Sequence, residues 1–243
     1  PTTWDETILL DGYPGKFVVL ARRHKDTWYI AAINAEKTEK EIDIVFNHDF
    51  SYSEKLSNVK DNFIIGMRTG LRISDFMRLK KIDIKDGFIE IETTKTSHPV
   101  VIPLHPQVKE ILLKRNGNLP TQISDQKFNE YVKEVCKEAG FTEMVDGAKM
   151  INRKDEKTYF ENSTIELKNK TRKEFGIYPK HELISSHTCR RSFASNLYGK
   201  LPNMTIMAIT GQKTETQFLK YIKITPRENA EKLKEHWENE NNS

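Results

Sequence analysis

Cysteine is nearly missing from this chain of 243 residues, which has only Cys136 and Cys189. They lie far apart and without metal-ligand spacing, which argues against a disulfide framework or a zinc site and leaves two buried free thiols as the expectation. Long hydrophobic runs are missing too. No stretch approaches the roughly 20 apolar residues that span a bilayer, and the opening PTTWDETILL has neither the basic region nor the apolar run of a secretory leader. We therefore expect a cytoplasmic protein with no membrane partner. Internal repeats are also lacking. What the chain has in quantity is charge: 30% of its residues, with a net +4. The charge is uneven, because residues 1–50 hold six Lys/Arg against nine Asp/Glu while the rest holds 33 against 26. The larger, basic part is compatible with a polyanionic partner. With 37% hydrophobic residues, there is enough apolar material for one large core or two small ones.

The chain changes character near residue 45. GKFVVLARRHKDTWYIAAIN reads as two β-rich runs around the turn HKD, and KEIDIVF reads as a third strand. Beyond it, Leu56, Val59, Phe63 and Met67 recur at helical spacing, and Gly70 sits where a left-handed cap stops a helix. KKIDIKDGFIEIETTKTSHPVVIPL alternates like a small antiparallel sheet, with bends at Asp86-Gly87 and around TKTSH, where Lys95 falls. Helices are expected over HPQVKEILLKRNG and SDQKFNEYVKEVCKEAG, the second capped by Ser124 and ended by Gly140. Residues 141–181 are polar and weakly periodic and read as a long loop or irregular insertion. Short helices follow around 186–198, 203–210 and 215–223, and a last one starts at Pro226.

Four stretches carry chemically conspicuous side chains. TGLRISDFMRL sets Arg72 in a segment apolar enough to be buried, three residues before Asp75. Lys95 lies at a hairpin bend. SSHTCRRSFASNLY puts His187 and Arg190 on one helix face. ITGQKTETQFLKYIK supplies a Gly turn, then Tyr221 about ten residues later. Each residue also admits a purely structural role: an Arg72–Asp75 ion pair, a turn lysine, a capping histidine, and a half-buried tyrosine beside Phe218 and Ile222.

Together, in this order, TGLRISD, a lysine in a β-hairpin, SHTCRRSFAS and TGQKTETQFLKY resemble the catalytic domain of tyrosine recombinases, the phage-integrase family. More narrowly, YPKHELISSHTCRRSFASNLY and TGQKTETQFLKYIK are similar to integrases of Bacteroidetes mobile elements. The resemblance runs from about residue 41 towards the C-terminus. It implies a mainly α fold with a small antiparallel β-sheet over residues 46–243, preceded by a β-rich segment at 1–45. It also implies site-specific breaking and rejoining of double-stranded DNA by a homo-oligomer, a tetramer on DNA, with no cofactor and no metal. In that chemistry Arg72 and Arg190 clamp the non-bridging phosphate oxygens, and Asp75 steadies the Arg72 fork. Tyr221 attacks phosphorus to leave a 3′-phosphotyrosyl enzyme, Lys95 protonates the departing 5′ oxygen, and His187 assists proton transfer from the tyrosine.

Two departures stand out. Gln212 occupies a place where the family has His or Trp; an amide still supplies a hydrogen-bond donor there. Nothing in the chain reads as the helical core-binding domain that precedes the catalytic domain in these enzymes. Instead, PTTWDETILLDGYPGKFVVLARRHKDTWYIAAIN resembles the C-terminal β-domain of family 97 glycoside hydrolases, over about 35 to 45 residues that stop before 50. That family's barrel, calcium site and catalytic carboxylates do not fit in so short a piece, so no glycosidase activity is implied. Two alternatives remain open at this point: a DNA-binding module without cleavage activity, and a carbohydrate-active or sugar-binding fragment.

Overall fold

The structure is a computed structural model that describes residues 3–13, 17–34, 37–152 and 171–222, with separate positions between 227 and 238. The helix expected from Pro226 lies largely outside the described residues. The chain divides into two compact units, Pro1–Asn47 and His48–Ser243. Among the described residues no helix is long and apolar enough to cross a membrane.

The first unit holds an antiparallel sheet of β1 (Glu6–Tyr13), β2 (Phe17–His24) and β3 (Thr27–Asn34), in the order β1-β2-β3. The Lys25-Asp26 turn joins β2 to β3, and Arg23 reaches back to the Glu6 carboxylate at 3.3 Å. KEIDIVF is not a strand; it lies in the helix α1 (Lys37–Asn47). The alternation Ile42, Ile44, Phe46 suggests a strand, but Ile42 and Val45 are the buried pair and Ile44 is exposed. A three-residue step on one face is helical periodicity.

The second unit is built around α2 (Glu54–Thr69), which packs against α4 (Pro106–Lys114), α5 (Asp125–Glu138) and α6 (Ser186–Leu197). Such central placement buries more than an apolar stripe. Leu56, Val59, Phe63, Ile64 and Ile65 are inaccessible, and so are polar neighbours, each of which needs a partner. Asp61 receives Arg115 at 2.7 Å, while Asn58 exchanges hydrogen bonds with the Thr121 backbone at 2.7 and 2.9 Å. After α2 come the single turn α3 (Ile73–Phe76) and a three-stranded antiparallel sheet, β4 (Ile84–Lys85), β5 (Phe88–Glu92) and β6 (Pro99–Pro103). Ile89 pairs with Ile102 and Ile91 with Val100; these four point inward while their neighbours face solvent. The turn at Asp86-Gly87 has φ of 49° and 84°, the left-handed pair that a two-residue hairpin requires.

The segment expected to be a loop contains a second hairpin instead. β7 (Met144–Asn152) and β8 (Thr171–Pro179) pair in register over nine residues. Its pattern is weak because one face is solvated yet apolar: Met144, Met150, Phe175 and Ile177 are all exposed. The opposite face approaches the turn at Lys180–Leu183, so closely that a Cβ on Gly147 would stand 2.3 Å from the Leu183 side chain. The chain then forms α6, α7 (Asn203–Thr210) and α8 (Glu215–Ile222). Phe193, Ala194, Ile206, Met207, Phe218 and Ile222 form the apolar cluster these three helices share.

Candidate active site

Two helices end in the same way and aim their following residues at one place. In α2, the Thr69 hydroxyl donates to the Ile65 carbonyl at 2.8 Å, and Gly70 at φ 64° donates its N–H to Gly66. In α7, the Thr210 hydroxyl donates to Ile206 at 2.7 Å, and Gly211 at φ 64° donates to Met207. A side chain is disfavoured at that φ, which explains why both stops use glycine. Arg72 follows the first stop and Gln212 the second.

The helix α6 supplies the other side. Its capping box, Ser185 with Thr188, starts the helix so that His187 lies in the first turn and Arg190 one turn later. Arg190 is 8% exposed, and its Nη1 donates to the Gly70 carbonyl at 2.9 Å. A cation on the C-terminal carbonyls of α2 is electrostatically favoured. The apolar cluster seats α8 by Phe218 and Ile222, which leaves Tyr221 half-buried at its edge.

Arg72, His187, Arg190, Gln212 and Tyr221 line one cavity of about 320 Å³, together with Ser74, Asp125, Ser186 and Thr210. A Cβ on Gly211 would lie 3.8 Å from Nη2 of both Arg72 and Arg190, so the two guanidinium heads converge on the open space that the glycine leaves. Burial and the neighbouring Arg72 lower the Arg190 pKa to about 10. Two like charges gathered in a partly desolvated place are unfavourable until an anion lies between them. The Tyr221 hydroxyl is buried with no hydrogen-bond partner among the described residues. Burial raises its pKa, while Arg190, Arg191 and Arg72 pull in the opposite direction. The Arg191 guanidinium lies 5.9 Å from the centre of the Tyr221 ring. The Gln212 carboxamide lies against the Thr210 hydroxyl, whose one proton is given to Ile206.

Two expectations change. Arg72 is half-buried, not buried; of the two arginines the inaccessible one is Arg190. His187 is exposed, and Ser185 with Thr188 does the capping, which removes the purely structural role for that histidine. Asp75 does not hold the Arg72 fork: its Oδ1 accepts the Thr94 N–H and hydroxyl, both at 2.8 Å, and lies 3.6 Å from Arg78 Nε. The reason is conformational. Arg72 has φ −71° and ψ 155°, so it precedes the α3 turn in an extended state and does not share a helical face with Asp75. Lys95 is not among the cavity-lining residues; it sits exposed in the turn between β5 and β6. Sequence reasoning missed Thr94 and Thr210, although each stands beside a residue it singled out. Both cysteines are buried, and burial pushes the Cys189 thiol up. Among the described residues no cluster of His, Cys, Asp and Glu is placed to hold a metal ion.

Comparison with known proteins gives two likenesses. The model of the phage integrase family matches residues 38–228. The model described as glycosyl-hydrolase 97 C-terminal, oligomerisation, matches residues 3–61, further along the chain than the limit of 50 expected from sequence. Over 57 residues the chain is 44% identical to the retaining alpha-galactosidase of Bacteroides thetaiotaomicron, a match covering 23% of this chain and 9% of that protein. Among solved structures, the XerA recombinase superposes with a TM-score of 0.50 at 13% identity, over 82% of this chain and 61% of that one. A lambda integrase(75-356) dimer bound to a COC′ core site gives 0.49 at 17% identity, over 76% and 58%. The chain therefore spans about three-fifths of each of these two solved chains.

Proposed function

The chain belongs to the phage integrase family, and from that premise we propose that it cuts and rejoins double-stranded DNA at specific sites through a 3′-phosphotyrosyl intermediate. The observation that carries this reading is the convergence of two guanidinium groups and an unpartnered phenol in one cavity. A phosphodiester suits that combination. Its two non-bridging oxygens would accept from Arg72 and Arg190 at the point where the cations are closest, so the substrate relieves their repulsion. As Tyr221 attacks, charge builds on those oxygens, and preorganised donors stabilise it without solvent rearrangement. The Gln212 amide would add a neutral donor.

Bonds and protons balance in the step. The tyrosyl oxygen bonds to phosphorus as the bond from phosphorus to the 5′ oxygen breaks. His187 takes up the phenolic proton, and Lys95 delivers one to the leaving oxygen. A 5′-hydroxyl from another strand reverses the step, and because the phosphoester is conserved, no nucleotide cofactor is consumed. We assign this chemistry to residues 46–243 and regard residues 1–45 as a separate β-rich segment. The active species is proposed to be a homo-oligomer on DNA, a tetramer, acting in the cytoplasm.

The basic excess beyond residue 50 gives phosphate contacts a large share of the affinity, hence strong salt dependence. The test is single-turnover adduct formation on a nicked suicide duplex with enzyme in excess. Wild type should become covalently linked to DNA and Tyr221→Phe should not, while both bind the duplex equally. An adduct that persists in Tyr221→Phe would overturn the assignment, and binding without any wild-type adduct would favour a DNA-binding module.

A further inference from the structure

Asp75 has no exposed surface, yet its donors come from outside its own element. Thr94 immediately precedes Lys95 and gives Asp75 Oδ1 both its N–H and its hydroxyl. Arg78 lies 3.6 Å from the same oxygen and also donates from Nη2 to the Glu92 carbonyl at the end of β5. The turn is braced internally as well. The Thr93 backbone N–H donates to His98 at 2.9 Å and its carbonyl accepts from Ser97 at 2.9 Å. Its side-chain oxygen contacts that of Thr96 at 2.9 Å and accepts the His98 N–H at 3.2 Å. Six residues, Thr93 to His98, thus form a small closed platform with Lys95 among them, and the platform is fastened to the turn that begins at Arg72.

We propose that Asp75, Thr94 and Arg78 form a bracket that sets Lys95 at a fixed distance from Arg72, making Thr94 a positioning residue for proton delivery to the leaving oxygen. The inference rests on the reading of Lys95 as the proton donor. A flexible lysine on a free hairpin tip samples many positions, and misplacing a reacting group by about 1 Å costs on the order of 10²-fold in rate. The bracket removes that freedom at the residue next to the lysine while leaving its side chain free to reach solvent or DNA. Asp75 Oδ2 has no hydrogen-bond partner among the described residues, so the geometric task falls on Oδ1. An asparagine that keeps one carbonyl oxygen there preserves the tether without the charge.

Two measurements on the full chain test it. The first needs no catalysis: amide exchange across residues 93–98 in the absence of DNA. It should accelerate about tenfold or more in Asp75→Ala and stay near wild type in Asp75→Asn; unchanged exchange in a folded Asp75→Ala removes the bracket. The second compares suicide duplexes carrying oxygen or sulfur at the 5′ bridging position, since a thiolate departs without a proton donor. Thr94→Val should slow the oxygen substrate by about 10²-fold and regain wild-type speed on the sulfur one, as Lys95→Ala should, while Thr94→Ser should resemble wild type on both. Equal slowing on both substrates marks Thr94 as merely structural and sinks the proposal. If Lys95→Ala is not rescued by sulfur, the role of Lys95 falls instead, and exchange alone decides whether the tether exists.

Discussion

The ends of α2 and α7 use one device for two purposes. Each has a Thr hydroxyl bonded back one turn and a glycine at φ 64°, and each turns the chain into the same cavity. Their surroundings differ. A Cβ on Gly70 would stand 2.4 Å from the Phe193 ring, whereas one on Gly211 meets only the two arginine heads at 3.8 Å. The first stop is locked into the core between α2 and α6. The second borders open space reserved for whatever the arginines hold. Local sequence specifies how a helix ends, and the packing partner decides whether that end serves stability or binding.

The comparison is broken most strongly by alanine at the two glycines. Left-handed backbone costs a non-glycine residue about 1–2 kcal/mol, and intrusion into a packed core adds about 1–3 kcal/mol. Gly70→Ala should therefore lose about 2–5 kcal/mol in denaturant unfolding and Gly211→Ala only the first part. Gly211→Ala should instead weaken DNA cleavage more than folding, because its methyl group would stand in contact with both guanidinium heads. A Gly211→Ala variant as unstable as Gly70→Ala would show that the two ends are equivalent after all.

The delivered residues sharpen the contrast. Arg72→Ala should slow adduct formation by roughly 10² to 10³, the usual loss for one preorganised donor to a transition-state oxyanion. Gln212→Ala should cost less, since a neutral amide supplies a weaker bond than a guanidinium, and Gln212→His should raise the rate. If Gln212→Ala is slower than Arg72→Ala, the order of importance is reversed.

The titration of the site has a definite sign. Burial holds the Tyr221 proton more tightly than in free phenol, so cleavage at subsaturating DNA should rise with pH through the neutral range and beyond. Arg190, lowered to about 10, loses its charge near that pH, and the rate should then fall. A bound phosphate favours the charged guanidinium, so the falling limb should move to higher pH at saturating DNA. A falling limb at the same pH in both regimes would separate Arg190 from phosphate binding. Last and smallest, removing residues 1–40 should leave cooperative unfolding and DNA affinity of the remainder unchanged, because that segment contributes no residue to the cavity lining. Loss of cooperative unfolding in the truncated chain would overturn that.

Much of the site was legible because its parts are local. The Gly70 helix stop, the His187–Arg190 spacing and the amphipathic run ending at Tyr221 depend on contacts three or four residues apart, and such patterns survive in one dimension. The same locality misled at Asp75, where a three-residue spacing from Arg72 imitates an ion pair until the extended backbone at Arg72 separates them. It misled at KEIDIVF, whose apolar residues satisfy both periods. The β7–β8 hairpin escaped notice because its exposed face is apolar, which removes the inside–outside alternation that announces a strand.

By itself the sequence determined α2 with its left-handed stop at Gly70, the β4–β6 sheet, α4 and α5, and the presence of two arginines, a histidine and a tyrosine in recombinase order. Only the tertiary structure decided which arginine is buried, what Asp75 holds, and where Lys95 stands. These outcomes rest on hydrogen bonds such as Arg190 to Gly70, 120 residues apart, and Thr94 to Asp75, 19 apart. A buried charge takes the partner that packing brings within reach, and that is settled by which helix ends and turns meet, not by the neighbours a residue has along the chain.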